Sequence, residues 1–340
     1  MPVVALALAL PLALGAVAPA RCAPPELGGF VDGRARFREI YCAVRRHGGP
    51  AADPACDAEL HRLPGEPAPS GLPVDLRPAR LPLRVLVVGG LYGDCLPVRA
   101  FSDALPRLED LGHLPGVIAT GGFSSVAVNA ARIRTAVAAL GPGAGEPLVL
   151  VGYSKGVTDA LEALVTYPEV GERVTAVVAI AGVVAGTPLA DRASSSVLLA
   201  PLARLSSLAC RERDRGVLAE LGRDERRRWL ARHRLPESLR TYSLPAYAER
   251  DGTSRALRPA YGLLARTDPR NDGAVLVSDA IIPGSKLLGV VRADHLAVAL
   301  PFSRDMPRAA ALGFNRNEFP RAALLEAIVR NLEEDLLTER

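Results

Sequence analysis

The stretch "LVLVGYSKGVTDALEAL" (residues 148–164) decides the fold. Its first part, "LVLVGY", is an apolar run without polar alternation. Its last part, "KGVTDALEAL", spaces apolar side chains as a helix does. A strand that is apolar throughout is buried on both faces, as in a parallel sheet covered by helices. Between strand and helix stands Gly152-Tyr153-Ser154-Lys155-Gly156. A plain turn with a capping serine would satisfy this pattern. So would a strained strand-to-helix turn with an exposed serine hydroxyl, where Gly152 and Gly156 let the helix pack close to the strand.

Working outward, the same rhythm repeats. "LRVLVVGG" (83–90) reads as a buried strand and "PVRAFSDALPRLEDLG" (97–112) as an amphipathic helix. "GVIATGG" (116–122) reads as a strand, and "SSVAVNAARIRTAVAAL" as a helix with Ser124 or Ser125 as its N-cap. "VTAVVAIAGVVAG" (174–186) is a further strand. "LRTYSLPAYA" and "SKLLGVVRADH" follow as late strands, and "PRAALLEAIVRNLEEDLL" as a closing helix. The expected class is α/β, with a mainly parallel central sheet covered by helices on both faces. Residues 187–235 interrupt the rhythm with helices and no strand. They are expected as a helical cap inserted over the C-terminal edge of the sheet.

Residues 21–82 are Pro-rich apart from one helix-like block, "GRARFREIYCAVRRHG". They read as an N-terminal extension to a main domain at 83–340. Before them, "VVALALALPLALGAVA" is an apolar run of signal-peptide length, with cleavage expected after Ala18 or Ala20. No Lys or Arg precedes it. Residues 1–20 are therefore expected as a signal peptide, and the protein as exported to the periplasm or the extracellular space. Arg21 before Cys22 argues against lipidation. Cys42 and Cys56 flank a short loop and are expected to pair in an oxidising compartment. Cys95 and Cys210 are further candidates, with the partners of Cys22, Cys95 and Cys210 left open.

The formal net charge of the 340-residue chain is +4, a mild excess spread along it. Nucleic-acid binding is not expected. The Cys and His spacing matches no zinc-ligand pattern, and neither metal nor cofactor is expected.

A serine nucleophile needs a base. Of the histidines, only His233 and His295 follow Ser154. His233 lies in a basic stretch of the expected cap, whereas His295 follows a strand and sits on a loop at the correct edge. His295 is the expected base. The acid that orients it should lie between the two, with Asp268, Asp272, Asp279 and Asp294 as candidates. Asp272 is preferred because Asn271-Asp272-Gly273 forms a turn after a strand-like segment. The tetrahedral oxyanion needs two backbone donors: the N–H of Lys155 and one from "VVGGLYGDC", expected to be Leu91. The Lys155 side chain is expected to point to solvent or toward the cap. The other possibility is contact with an acidic group on the substrate or cap.

From about Leu83 onward, these motifs resemble the α/β-hydrolase fold, and especially its bacterial triacylglycerol lipase/esterase branch. "VVGGL" resembles the lipase H-G-L oxyanion loop, with Gly89 at the histidine position. "GYSKG" resembles the nucleophile elbow, and "AGVVAGTPLAD" the segment with G-T-P. "NDGAVLVSDA" and "ADHL" resemble the acid and histidine loops. Carried over by position, the resemblance implies Ser154 as nucleophile, Asp272 as acid, His295 as base, and Leu91 and Lys155 as oxyanion donors. His295-Leu296-Ala297 lacks the aspartate that related lipases use for calcium. The implied function is cleavage of small-molecule or lipid carboxylic esters through an acyl-enzyme, with transient contact to a membrane or lipid surface where the ester is lipidic. Rivals on the same residues are an acyltransferase, a thioesterase, or a non-catalytic binding protein on the same scaffold.

Overall fold

The computed structural model describes residues 29–47, 55–95, 97–141, 145–195, 210, 214, 216–313 and 319–338. The expected signal peptide, Cys22 and the apolar middle of the expected cap (196–209) lie outside the described residues.

Strands β1 (Val31–Asp32), β2 (Arg84–Val88), β3 (Leu114–Ile118), β4 (Leu148–Tyr153), β5 (Val174–Ile180), β6 (Arg240–Leu244) and β7 (Lys286–Leu287) form one sheet. Its order is β1-β7-β6-β5-β4-β2-β3, and every pairing is parallel. The apolar runs explain this arrangement, because side chains alternate between two buried faces. Val85, Val87, Val149 and Val151 enter one core. Leu86, Val88, Leu148 and Leu150 enter the other.

The second core is closed by α4 (Val126–Ala138) and α5 (Lys155–Thr166). Ser125 caps α4, its hydroxyl accepting the Val128 N–H at 3.4 Å. The first core is closed by α1 (Arg34–His47) and the C-terminal helix Arg321–Thr338. α1 fully buries Phe37, Ile40 and Tyr41 there. The segment before Leu83 is thus woven into the fold, since β1 pairs with β7 and supplies one sheet edge. A disulfide joins Cys42 of α1 to Cys56 of α2 (Ala55–Glu59). Glu59 accepts from both Tyr41 Oη (2.6 Å) and Arg45 Nε (2.9 Å).

The helix expected over 97–112 is shorter, running only Leu105–Asp110 as α3. Pro106 sits in its first turn. The proline ring has no N–H and collides with the carbonyl four residues back, so a helix can start there but cannot run through it. The last expected strand also shortens, to Lys286–Leu287, after which Val291 makes only isolated bridges to Leu60 and Ala246.

Between β5 and β6 the described residues include the helices Pro188–Ser195, Val217–Glu220 and Arg223–Arg232. A second disulfide, Cys95–Cys210, ties this segment to the loop after β2. No helix among the described residues is long and apolar enough to cross a membrane.

Candidate active site

Register places the C-terminal ends of β2, β4 and β5 side by side: Val88 is opposite Gly152, and Gly152 is opposite Ala179. The loops leaving these strands therefore meet around Ser154. This residue has φ 55° and ψ −126° and stands at the N-cap of α5. Such a backbone costs on the order of 1–3 kcal/mol in a non-glycine residue, so the surroundings must enforce it. They do so by hydrogen bonds from Ser154 N–H to the Ile180 carbonyl (3.3 Å) and from Val183 N–H to the Ser154 carbonyl (3.1 Å).

The elbow glycines are required by space. A Cβ at Gly152 would lie 2.8 Å from Val157 Cα, and one at Gly156 would run into the Val88 and Gly89 carbonyl oxygens. On the other side, a Cβ at Gly90 would lie 2.9 Å from Ser154 Cβ and 3.3 Å from its Oγ. The loop after β2 thus approaches the serine as closely as glycine permits.

His295 and Asp272 reach the same point. Ser154 Oγ is 2.8 Å from His295 Nε2, and His295 Nδ1 is 2.6 Å from Asp272 Oδ2. All three residues are buried. Asp272 Oδ1 accepts the N–H groups of Ala274 (2.8 Å) and Val275 (2.7 Å), which fixes the carboxylate plane. His295 N–H donates to the Asp272 carbonyl at 2.8 Å, locking the two loops together. The other acidic candidates are engaged elsewhere. Asp268 pairs with Arg270, and Asp279 pairs with Arg223. His233 packs its ring on Trp229 at the end of helix Arg223–Arg232.

Ser154 and His295 line a cavity of about 270 Å³. Leu91 and Lys155 lie on the same cavity, beside the serine. The remaining wall is apolar and includes Val183, Leu189, Ala190, Leu218, Leu221 and Val275. Five of these six, Val183, Leu189, Ala190, Leu218 and Leu221, come from the segment between β5 and β6. Ser154 stands at the N-terminus of α5, where the positive end of the helix dipole favours developing negative charge.

The expectation for the Lys155 side chain is corrected. It does not point to solvent. Lys155 is 1% exposed, and its Nζ lies 2.8 Å from Asp159 Oδ1. The reason is helical geometry, which stacks residues four apart on one face, here the inner face of α5. Burial pushes the Asp159 carboxyl up to about 6, against the pull of Lys155 and of Asn129.

Two further residues support the site: Tyr153, which sequence reasoning did not single out, and Asp294, which it offered only as a candidate acid. Tyr153 Oη donates to the His295 carbonyl at 2.6 Å, and burial together with nearby Asp272 pushes its phenol well up. Asp294 accepts from the Leu296 and Ala297 amides (3.0 and 2.8 Å) and from Ser254, shaping the loop that carries His295. Asp294 is a turn former next to His295 in sequence, whereas nothing local marks Tyr153 as a partner of residue 295.

No protein-family model and no curated protein sequence matches this chain. Solved structures do. The metagenomic carboxyl esterase MGS0156 is 42% identical, with a TM-score of 0.85, over 94% of this chain and 97% of that one. The mature Bacillus licheniformis lipase BlEst2 is 22% identical, with a TM-score of 0.52, over 66% of this chain and 89% of that one. The second likeness is one of fold alone. With the parallel sheet and a serine turn of this geometry, the first defines the class: the chain belongs to the α/β-hydrolase fold family, with its carboxyl esterases and lipases.

Proposed function

We propose that the protein is an exported serine hydrolase that cleaves carboxylic esters through an acyl-enzyme. In this reading, His295 Nε2 takes the Ser154 proton as Ser154 Oγ attacks the ester carbonyl. Asp272 holds the imidazole in the required tautomer and stabilises its cation. The N–H groups of Leu91 and Lys155 receive the oxyanion. The imidazolium then protonates the leaving alcohol. Water activated by His295 attacks the acyl-enzyme and releases the acid, returning the proton to Ser154.

The observation that carries this reading is the unbroken line Asp272–His295–Ser154, with contacts of 2.6 and 2.8 Å, ending on a serine of strained backbone. The apolar wall favours a neutral, apolar acyl group. Export is supported by the two disulfides, which persist in oxidising compartments.

The test is labelling with a fluorophosphonate probe, alongside hydrolysis of p-nitrophenyl esters. Wild type should label, and Ser154→Ala should not. Asp272→Asn should lower kcat by about four orders of magnitude with little change in fold. Folded wild-type protein that neither labels nor hydrolyses would overturn the proposal, and labelling retained in His295→Ala would remove His295 as the base.

A further inference from the structure

The two amides proposed to bind the oxyanion come from distant parts of the chain. Leu91 follows β2, and Lys155 opens α5. Behind the site one polar line joins them. Lys155 Nζ contacts Asp159 Oδ1 at 2.8 Å, and Asp159 Oδ2 accepts from Asn129 Nδ2 at 2.8 Å. The Asn129 side chain then grips Gly121 twice, accepting its N–H at 3.0 Å and donating to its carbonyl at 2.8 Å. The adjacent Gly122 donates its N–H to Asp94 Oδ1 at 2.6 Å.

Asp94 belongs to the same turn as Leu91. Gly93 N–H bonds the Gly90 carbonyl, and Cys95 N–H bonds the Tyr92 carbonyl, each at 3.1 Å. Gly122 also backs Leu91 directly, since a Cβ at Gly122 would run into the Leu91 carbonyl oxygen. A loop containing Gly89, Gly90 and Gly93 has little stiffness of its own. An oxyanion donor, however, works only when it is held in place before the charge develops. The hold must therefore come from outside the loop.

We propose that Asp94, backed by Asn129 and Asp159, is a positioning residue that fixes the Leu91 N–H opposite the Lys155 N–H at the serine oxygen. This rests on the ester-hydrolysing reading above. Asp94 is not part of the cavity wall, so it acts through the loop and not on the substrate. Lys155, on this view, serves the site twice: through its backbone N–H, and as the far anchor of the strut.

The full chain tests this with kcat measured per fluorophosphonate-titrated site on a p-nitrophenyl ester. Two inhibitors of one shape are compared. An alkyl trifluoromethyl ketone adds to the serine and places an oxyanion in the hole, whereas the corresponding alcohol fills the cavity without one. Asp94→Ala should lower kcat by about tenfold to a hundredfold, leave KM within about twofold, and weaken the ketone by the same factor as kcat/KM. Binding of the alcohol should not change. Asp94→Asn keeps an oxygen that accepts the Gly122 N–H and should recover most of the loss.

Unchanged kcat and ketone affinity in Asp94→Ala would overturn the proposal. So would equal weakening of ketone and alcohol, which would mean general damage to the cavity, or an Asn variant no better than Ala. These failures differ from failure of the ester reading itself, in which the wild type would neither hydrolyse nor label.

Discussion

Behind Ser154, an ammonium and a carboxylate, each 1% exposed, sit one helical turn apart at Lys155 and Asp159. Burying such a pair costs desolvation that their attraction offsets only when both are present. Lys155→Met should therefore destabilise by about 3 kcal/mol, whereas Lys155→Met with Asp159→Leu should lie within about 1 kcal/mol of wild type or above it. Urea unfolding measures both. The single variant should alter stability without altering preference among esters, because its side chain faces Asp159. The Asp159 carboxyl titrates at about 6 in the folded chain against 3.8 when exposed. Between these values the folded state holds a proton that the unfolded state has released, so stability linked to Asp159 is complete below 3.8 and is lost as pH rises through about 6. The wild-type unfolding free energy minus that of the double variant should fall over this window. A difference that rises with pH would contradict the raised carboxyl.

At the scale of elements, two helical glycines of α5 and of helix Arg258–Leu264 make opposite predictions. Gly156 sits where α5 meets the end of β2, and any side chain there meets the Val88 and Gly89 carbonyls. Gly156→Ala should lower stability by more than about 2 kcal/mol and slow phosphonate labelling, because α5 must shift away from the loop that carries Leu91. Gly262, in helix Arg258–Leu264, has no atom within 4 Å of an added Cβ. Gly262→Ala should raise stability by about 0.5–1 kcal/mol through the less disordered unfolded chain. Thermal melts and labelling rates of the two variants check both signs. If Gly156→Ala labels as fast as wild type, α5 does not set the loop position.

The two disulfides act on the molecule as a whole. Cys42–Cys56 spans a sequence separation of 14, and Cys95–Cys210 spans 115. On the chain-entropy account their removal costs about 3 and about 4–5 kcal/mol, the longer loop losing more. Cys95→Ser/Cys210→Ser should therefore melt below Cys42→Ser/Cys56→Ser, and reductant should lower the wild-type melting temperature toward that of the variants. Calorimetry with and without reductant decides; equal melting of all four samples would leave the bridges without a stabilising role. Cys95–Cys210 also ties the loop carrying Leu91 and Asp94 to the segment that lines the cavity with Leu218 and Leu221. The loop after β2 and the cavity wall therefore share one covalent anchor.

Hydrophobic periodicity and turn chemistry are local, so the sequence by itself determined the strands β2, β4 and β5, the helices α4 and α5, and the turn at Ser154. Chain order then picked out His295 and Asp272 as candidates, because so few histidines follow the serine. What the tertiary structure decided depends on meetings between distant residues. Lys155 turned inward because the first turn of α5 packs over β2 and places Asp159 beneath it. Val31–Asp32 became a sheet edge only because β7 was there to pair with it. Cys95 found Cys210 across a separation of 115 residues. The line from Lys155 to Asp94 joins α5, α4, the loop after β3 and the loop after β2. Each of its members reads in sequence as an ordinary helix or turn polar residue. Only packing removes water from around Lys155, Asp159, Asn129, Gly121 and Gly122 and makes their hydrogen bonds obligatory.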